Sequence, residues 1–86
     1  MPLLDYVSQT AKDVSVSYAD MPAKTEVLFV NTTSGEKTPS QSTALSNGGS
    51  GKADIPIPKL SAGQYYLLAQ DDAGKRLAQT VPFYLS

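Results

Sequence analysis

Apolar and polar residues alternate along most of this chain with a period of two. Asp13-Val14-Ser15-Val16-Ser17-Tyr18 puts apolar side chains on one face and small polar ones on the other, the pattern of a strand with one wetted face. Met21-Pro22-Ala23-Lys24 interrupts it. Thr25 to Thr32 follows as a second strand, whose unbroken Val27-Leu28-Phe29-Val30 run predicts burial on both faces or a central place in its sheet. Thr33-Ser34-Gly35-Glu36 reads as a turn. Lys37 to Leu45 is polar and alternates weakly, so a strand there is short or lies at an edge, where Pro39 is tolerated. Ser46 to Gly51 is the stretch with most backbone freedom.

The second half repeats the pattern more strongly. Lys52 to Ile57 predicts a strand with Ile55 and Ile57 on one face, and Pro56 and Pro58 favour an edge position. Gln64 to Gln70 is the clearest strand, with Tyr65, Leu67 and Ala69 on one face and Tyr66 and Leu68 on the other. Asp71-Asp72-Ala73-Gly74 is a hairpin turn, with Gly74 suited to the left-handed position of a type I turn plus bulge. Lys75 to Leu85 predicts a last strand with Leu77, Val81, Phe83 and Leu85 on one face and Pro82 bending or dividing it. Leu3, Leu4, Tyr6 and Val7 fit a short strand or one helical turn, and the strand is preferred. About seven short strands, separated by regular turn signals, imply an all-β chain folded as an antiparallel β-sandwich of immunoglobulin-like type. A small closed β-barrel is the alternative, because it gives the same alternation.

One local pattern is more specific. Leu60-Ser61-Ala62-Gly63-Gln64-Tyr65, followed by alternating apolar residues, resembles the corner before the penultimate strand of immunoglobulin-like and fibronectin-III-like domains. The resemblance implies that the Tyr65 hydroxyl bonds back to the backbone of the corner, that Leu60 packs beneath it, and that Gly63 opens the strand. It also implies that the segment through Gly74 and Phe83 forms the last hairpin. It covers about the last 35 residues and extends to the rest only by strand count. The absence of an early tryptophan and of a cysteine pair excludes antibody-type membership.

Length and composition limit what such a domain can do. Eighty-six residues make a single domain, 1–86, with one core. With no cysteine, neither a disulfide nor a thiolate metal site supplements that core. With no histidine either, histidine-dependent triads, thiol nucleophiles and the usual zinc sites lack their residues, and no enzymatic activity, cofactor or metal is expected. Seven basic and eight acidic residues give a net charge of -1, with no basic stripe to neutralise phosphates, so nucleic acid is not an expected partner. No apolar run approaches the ~20 residues of a membrane helix, so no membrane insertion is expected. The Met1-Pro2-Leu3-Leu4-Asp5-Tyr6 start has neither a cationic segment nor a long apolar one, unlike a signal peptide. Two settings follow: an extracellular or cell-surface module excised from a longer chain, as in many cysteine-free bacterial surface proteins, or a complete cytoplasmic protein. The Ser/Thr-rich, lightly charged composition favours the first.

Four motifs invite chemistry and are better explained structurally. Ser50 lies near Lys52, but within a glycine-rich loop. Gly48-Gly49-Ser50-Gly51-Lys52-Ala53 lacks the first glycine of a phosphate loop, which would fall at Ser46, and has Ala53 where magnesium needs a hydroxyl. Asp71 and Asp72, with Asp54 elsewhere, do not form a calcium loop and suit a hairpin tip. Asn31-Thr32-Thr33 matches a glycosylation sequon, relevant only to a secreted eukaryotic chain.

The expected role is a non-catalytic structural or spacer module of a larger surface, secreted or virion protein, monomeric in isolation because Pro56 and Pro58 guard an edge. The alternative is a module that binds a protein or a glycan. It would use the polar 33–51 loop, with Asn47, together with Tyr66 and Tyr84, which face one another if the last hairpin pairs in a suitable register.

Overall fold

In the computed structural model, which describes residues 1–86, eight strands form two antiparallel sheets packed as a sandwich. They are β1 (Leu3–Gln9), β2 (Asp13–Met21), β3 (Glu26–Asn31), β4 (Lys37–Pro39), β5 (Gly49–Pro56), β6 (Gly63–Gln70), β7 (Arg76–Gln79) and β8 (Phe83–Leu85). One sheet has the order β1-β2-β5. The other has the order β4-β3-β6-β7, with β8 continuing beside β6 after β7 ends. The sheets do not close on one another, so the barrel alternative falls away. No helix is long and apolar enough to cross a membrane.

The alternation in β2 does what the sequence predicts. Val14 and Val16 are fully buried, facing the second sheet, while Ser15 and Ser17 lie on the outer side. In β3 all four residues of the apolar run are buried, but for two reasons. Val27 and Phe29 face inward and belong to the core. Leu28 and Val30 face outward, where β6 places Leu68 and Tyr66 opposite them and β4 places Pro39 and Lys37. A strand with neighbours on both sides can shield an outer apolar row by cross-strand packing alone. The core joins Val14, Val16 and Ile55 of one sheet to Phe29, Leu67 and Phe83 of the other. Each such side chain contributes about 1.5–3 kcal/mol through its removal from water. Phe83 meets Phe29 edge-on at 6.4 Å and stacks on Tyr6 at 5.2 Å, so the edge strand β1 is tied to the opposite sheet through aromatic contact. Gln9 reinforces this edge: its Nε2 donates to the Tyr84 carbonyl oxygen, and its Oε1 accepts from the Tyr6 hydroxyl.

Three segments depart from the sequence reading. The glycine-rich stretch is not a free loop, because β5 begins at Gly49 and pairs Gly51 with Tyr18 and Gly49 with Met21. Gly48 takes φ +73°, and a Cβ there would lie 2.6 Å from the Met21 carbonyl oxygen, so only glycine fits this crossing. Second, Leu45, alone in a polar stretch, is 1% exposed and joins the core, which anchors the segment between β4 and β5. Third, the last strand is two strands. Between the Leu68–Gln79 and Tyr65–Phe83 pairs, Tyr66 and Leu67 on β6 face three residues, Thr80, Val81 and Pro82. The extra residue reverses the alternation, so Phe83 and Leu85 are buried while Val81 is 67% exposed. Leu77 is likewise displaced by a bulge beside Ala69 and is half-buried. The predicted common face of Leu77, Val81, Phe83 and Leu85 is therefore corrected to Phe83 and Leu85 alone.

Candidate functional site

The corner before β6 is built as its residues imply. The Tyr65 hydroxyl donates to the Ser61 carbonyl oxygen at 2.7 Å and lies 3.2 Å from the Ser61 Oγ. The ring is buried, and the half-buried Leu60 packs against the core. Gly63 opens β6, and Asn31, at the end of β3, pairs with Tyr65. The Asn31 side chain is itself engaged, since its Oδ1 accepts the N–H groups of Thr33 and Ser34 and fixes the β3–β4 turn. At the other end of β6, Gly74 has φ +85° and donates its N–H to the Asp71 carbonyl. The Asp71 carboxylate accepts the N–H groups of Ala73 and Lys75, which explains it as a turn former.

Tyr66 and Tyr84 share the outer face of the larger sheet but do not oppose one another. The register pairs Tyr84 with Gln64, and Tyr66 with Val30. Tyr84 thus sits two positions along β6 from Tyr66, diagonal to it. Tyr84 is 71% exposed and Tyr66 half-buried. Gln64 beside them is held by a hydrogen bond from the Thr32 hydroxyl to its Oε1 at 2.9 Å. Asn47 is not part of this face. It is exposed in the turn between Leu45 and Gly48, next to the β2–β3 turn, where the Lys24 N–H donates to the Ser46 carbonyl. Tyr84 lies at the opposite end of β6 from that turn, so the three partner-binding candidates do not assemble into one site. The remaining tyrosines are structural: Tyr6 stacks on Phe83, and Tyr18 lies against the space left by Gly51.

What the loop does assemble is a cleft of ≈ 370 Å³ at the β2–β3 end of the sandwich. It opens where β4 stops at Pro39 and the chain turns away toward Leu45. Its floor includes Val27, Leu28 and Pro39, and its walls carry Thr25, Ser40, Ser42, Thr43 and Ser46. Lys24, Glu26 and Asp72 stand at its rim, with Lys24 Nζ 4.0 Å from the Asp72 carboxylate. Several hydroxyls are spoken for: Thr25 donates to the Pro22 carbonyl, Ser46 donates to the Thr43 carbonyl, and Ser42 accepts the Ala44 N–H. Ser40 differs, because its Oγ is buried and has no hydrogen-bond partner in the protein. No single motif marks this cleft in the sequence. It joins three separate turns, and its one advance signal was the unusual length of the polar 33–51 stretch.

The other motifs are occupied by folding roles. The Ser50 Oγ accepts the Asp20 N–H, whose residue sits at φ +56° in the bulge of β2. Asp54 bonds to the Ser15 hydroxyl across the β2–β5 pair. Comparison with models of protein families, with curated proteins and with solved structures finds no match.

Proposed function

We propose that this chain is a non-catalytic spacer module of immunoglobulin-like type, suited to a surface, secreted or virion protein. The observation that carries the reading is strand polarity. Leu3 pairs with Ala19 near the β2–β3 turn, whereas Leu85 pairs with Gly63 at the far end of β6. The first and last strands therefore enter and leave at opposite ends of a body measuring 31 × 24 × 20 Å. A chain threaded through such bodies runs on in line instead of doubling back. Tension between the two ends also acts along β1 and β8, shearing their hydrogen bonds together instead of opening them one by one. The tyrosine corner and the two sheet orders support the immunoglobulin-like reading.

Small-angle scattering from a tandem of three copies tests the reading. In-line modules give a maximum dimension that grows with each copy by nearly the long axis of one module. A compact tandem, with copies folded against one another, overturns it.

A further inference from the structure

We propose that the cleft at the β2–β3 end binds a pyranose-sized sugar residue, giving the module a glycan-binding site. This goes beyond the spacer reading and does not depend on it. The volume, ≈ 370 Å³, lies at the small end of the range for ligand sites and suits one ring better than an extended chain. The rim presents charges of both signs, Lys24 against Glu26 and Asp72. An anionic or cationic ligand would leave part of that set opposed, whereas neutral hydroxyls donate to the carboxylates and accept from the ammonium.

The partners are free to do so. Asp71 is consumed by its turn, but the Asp72 carboxylate has only the 4.0 Å approach of Lys24. Glu26 accepts from Gln70 through Oε2 alone, which leaves Oε1 available. Ser40, with a buried and unpartnered Oγ, gains most from a hydroxyl that can donate or accept. Leu28 and Pro39 offer an apolar surface for the C–H face of a ring. The walls are also set in advance, because Leu45 in the core and the Gly48 crossing fix the loop on both sides of Ser46. A preformed site loses less to ordering on binding. With no aromatic platform, a dissociation constant of about 1 mM is expected for a single ring of about twelve non-hydrogen atoms.

The test is a proton–nitrogen NMR titration of the full chain with four methyl glycosides: of glucose, galactose, mannose and N-acetylglucosamine. At least one should give saturable shifts confined to Lys24–Leu28, Ser40–Ser46 and Asp72. Asp72→Asn should weaken that binding about tenfold and Ser40→Ala should weaken it measurably, with spectra otherwise unchanged. The remote Asp54→Asn should leave it intact. The proposal is overturned if no glycoside saturates, if the shifts centre on Tyr66 and Tyr84, or if neither cleft variant weakens binding. It also fails if methylammonium chloride alone reproduces the shifts, since the cleft would then be a cation site.

Discussion

At the break between β7 and β8 one hydroxyl takes the place of a ladder carbonyl. In an unbroken antiparallel pair the Leu67 N–H would bond to a backbone carbonyl of the neighbouring strand. Here it donates to the Thr80 Oγ1 at 3.0 Å, while the Thr80 N–H donates to the Leu67 carbonyl at 2.9 Å. Both residues are buried, at 0% and 4% exposure. Thr80→Val keeps the side-chain volume and removes only the acceptor, leaving a buried N–H unpaired at a cost of about 1–3 kcal/mol. Thr80→Ser keeps the acceptor and loses one methyl group, about 0.8 kcal/mol of burial. The expected order of stability is therefore wild type, then serine, then valine. An account based on hydrophobicity alone predicts that valine is at least as stable as wild type. For a domain of this size the unfolding entropy is about 0.18 kcal/mol/K, so a loss of about 2 kcal/mol lowers the midpoint by about 11 °C. Total stability of about 4–13 kcal/mol is expected, so the valine variant should remain folded at room temperature. Thermal and urea unfolding followed by circular dichroism, with amide exchange at Leu67, measures all three proteins. A valine variant as stable as wild type, or more stable than the serine variant, refutes the reasoning.

Other substitutions test the remaining features. Leu45→Ala removes a side chain that is 1% exposed and should cost about 2–5 kcal/mol, with amide protection lost across Ser40–Asn47 before the strands open. Gly48→Ala places a Cβ 2.6 Å from the Met21 carbonyl at φ +73°, and should destabilise by at least about 2 kcal/mol in urea unfolding. Tyr65→Phe keeps the buried ring and removes the bond to the Ser61 carbonyl, so a loss of about 1 kcal/mol is expected, with the spectrum altered mainly at the corner.

Which parts of this structure could be read from the sequence depends on whether their cause is local. Val14 and Val16 alternate with serines, and one strand's own period decides their face. The Leu60–Tyr65 corner is legible because its hydrogen bond closes within four residues. The double burial of β3 was visible in its unbroken apolar run. Periodicity assigns Val81 and Leu77 to the wrong face, because an added residue shows itself only against the partner strand, and periodicity contains no partner. Gly49 and Gly51 look like flexible linker residues, yet both are strand residues: Gly49 takes φ +84° opposite Met21, and Gly51 lies under the Tyr18 ring across the sheet. Leu45 has no periodic companions, so nothing local identified it as a core residue. The cleft draws on the β2–β3, β4–β5 and β6–β7 connections, and its polar residues follow no period at all.

The order in which strands pair has a consequence for how the chain acquires this fold. In one sheet β2 pairs with the edge strand β5, and in the other the central pair joins β3 to β6, each spanning roughly forty residues of chain. The two spans interleave, since β3 lies inside the first and β5 inside the second. Only the β1–β2, β3–β4 and β6–β7 hairpins are local. Loop-closure entropy must be met before either pairing gains its contacts, so folding in milliseconds to seconds is expected, without stable half-folded species. During synthesis, β2 and β5 can meet first, but Val14, Val16 and Ile55 lack a complete facing layer until Leu67 and Phe83 have been made. The nascent chain therefore remains exposed to misassociation until β8 has emerged, and then folds as one cooperative unit.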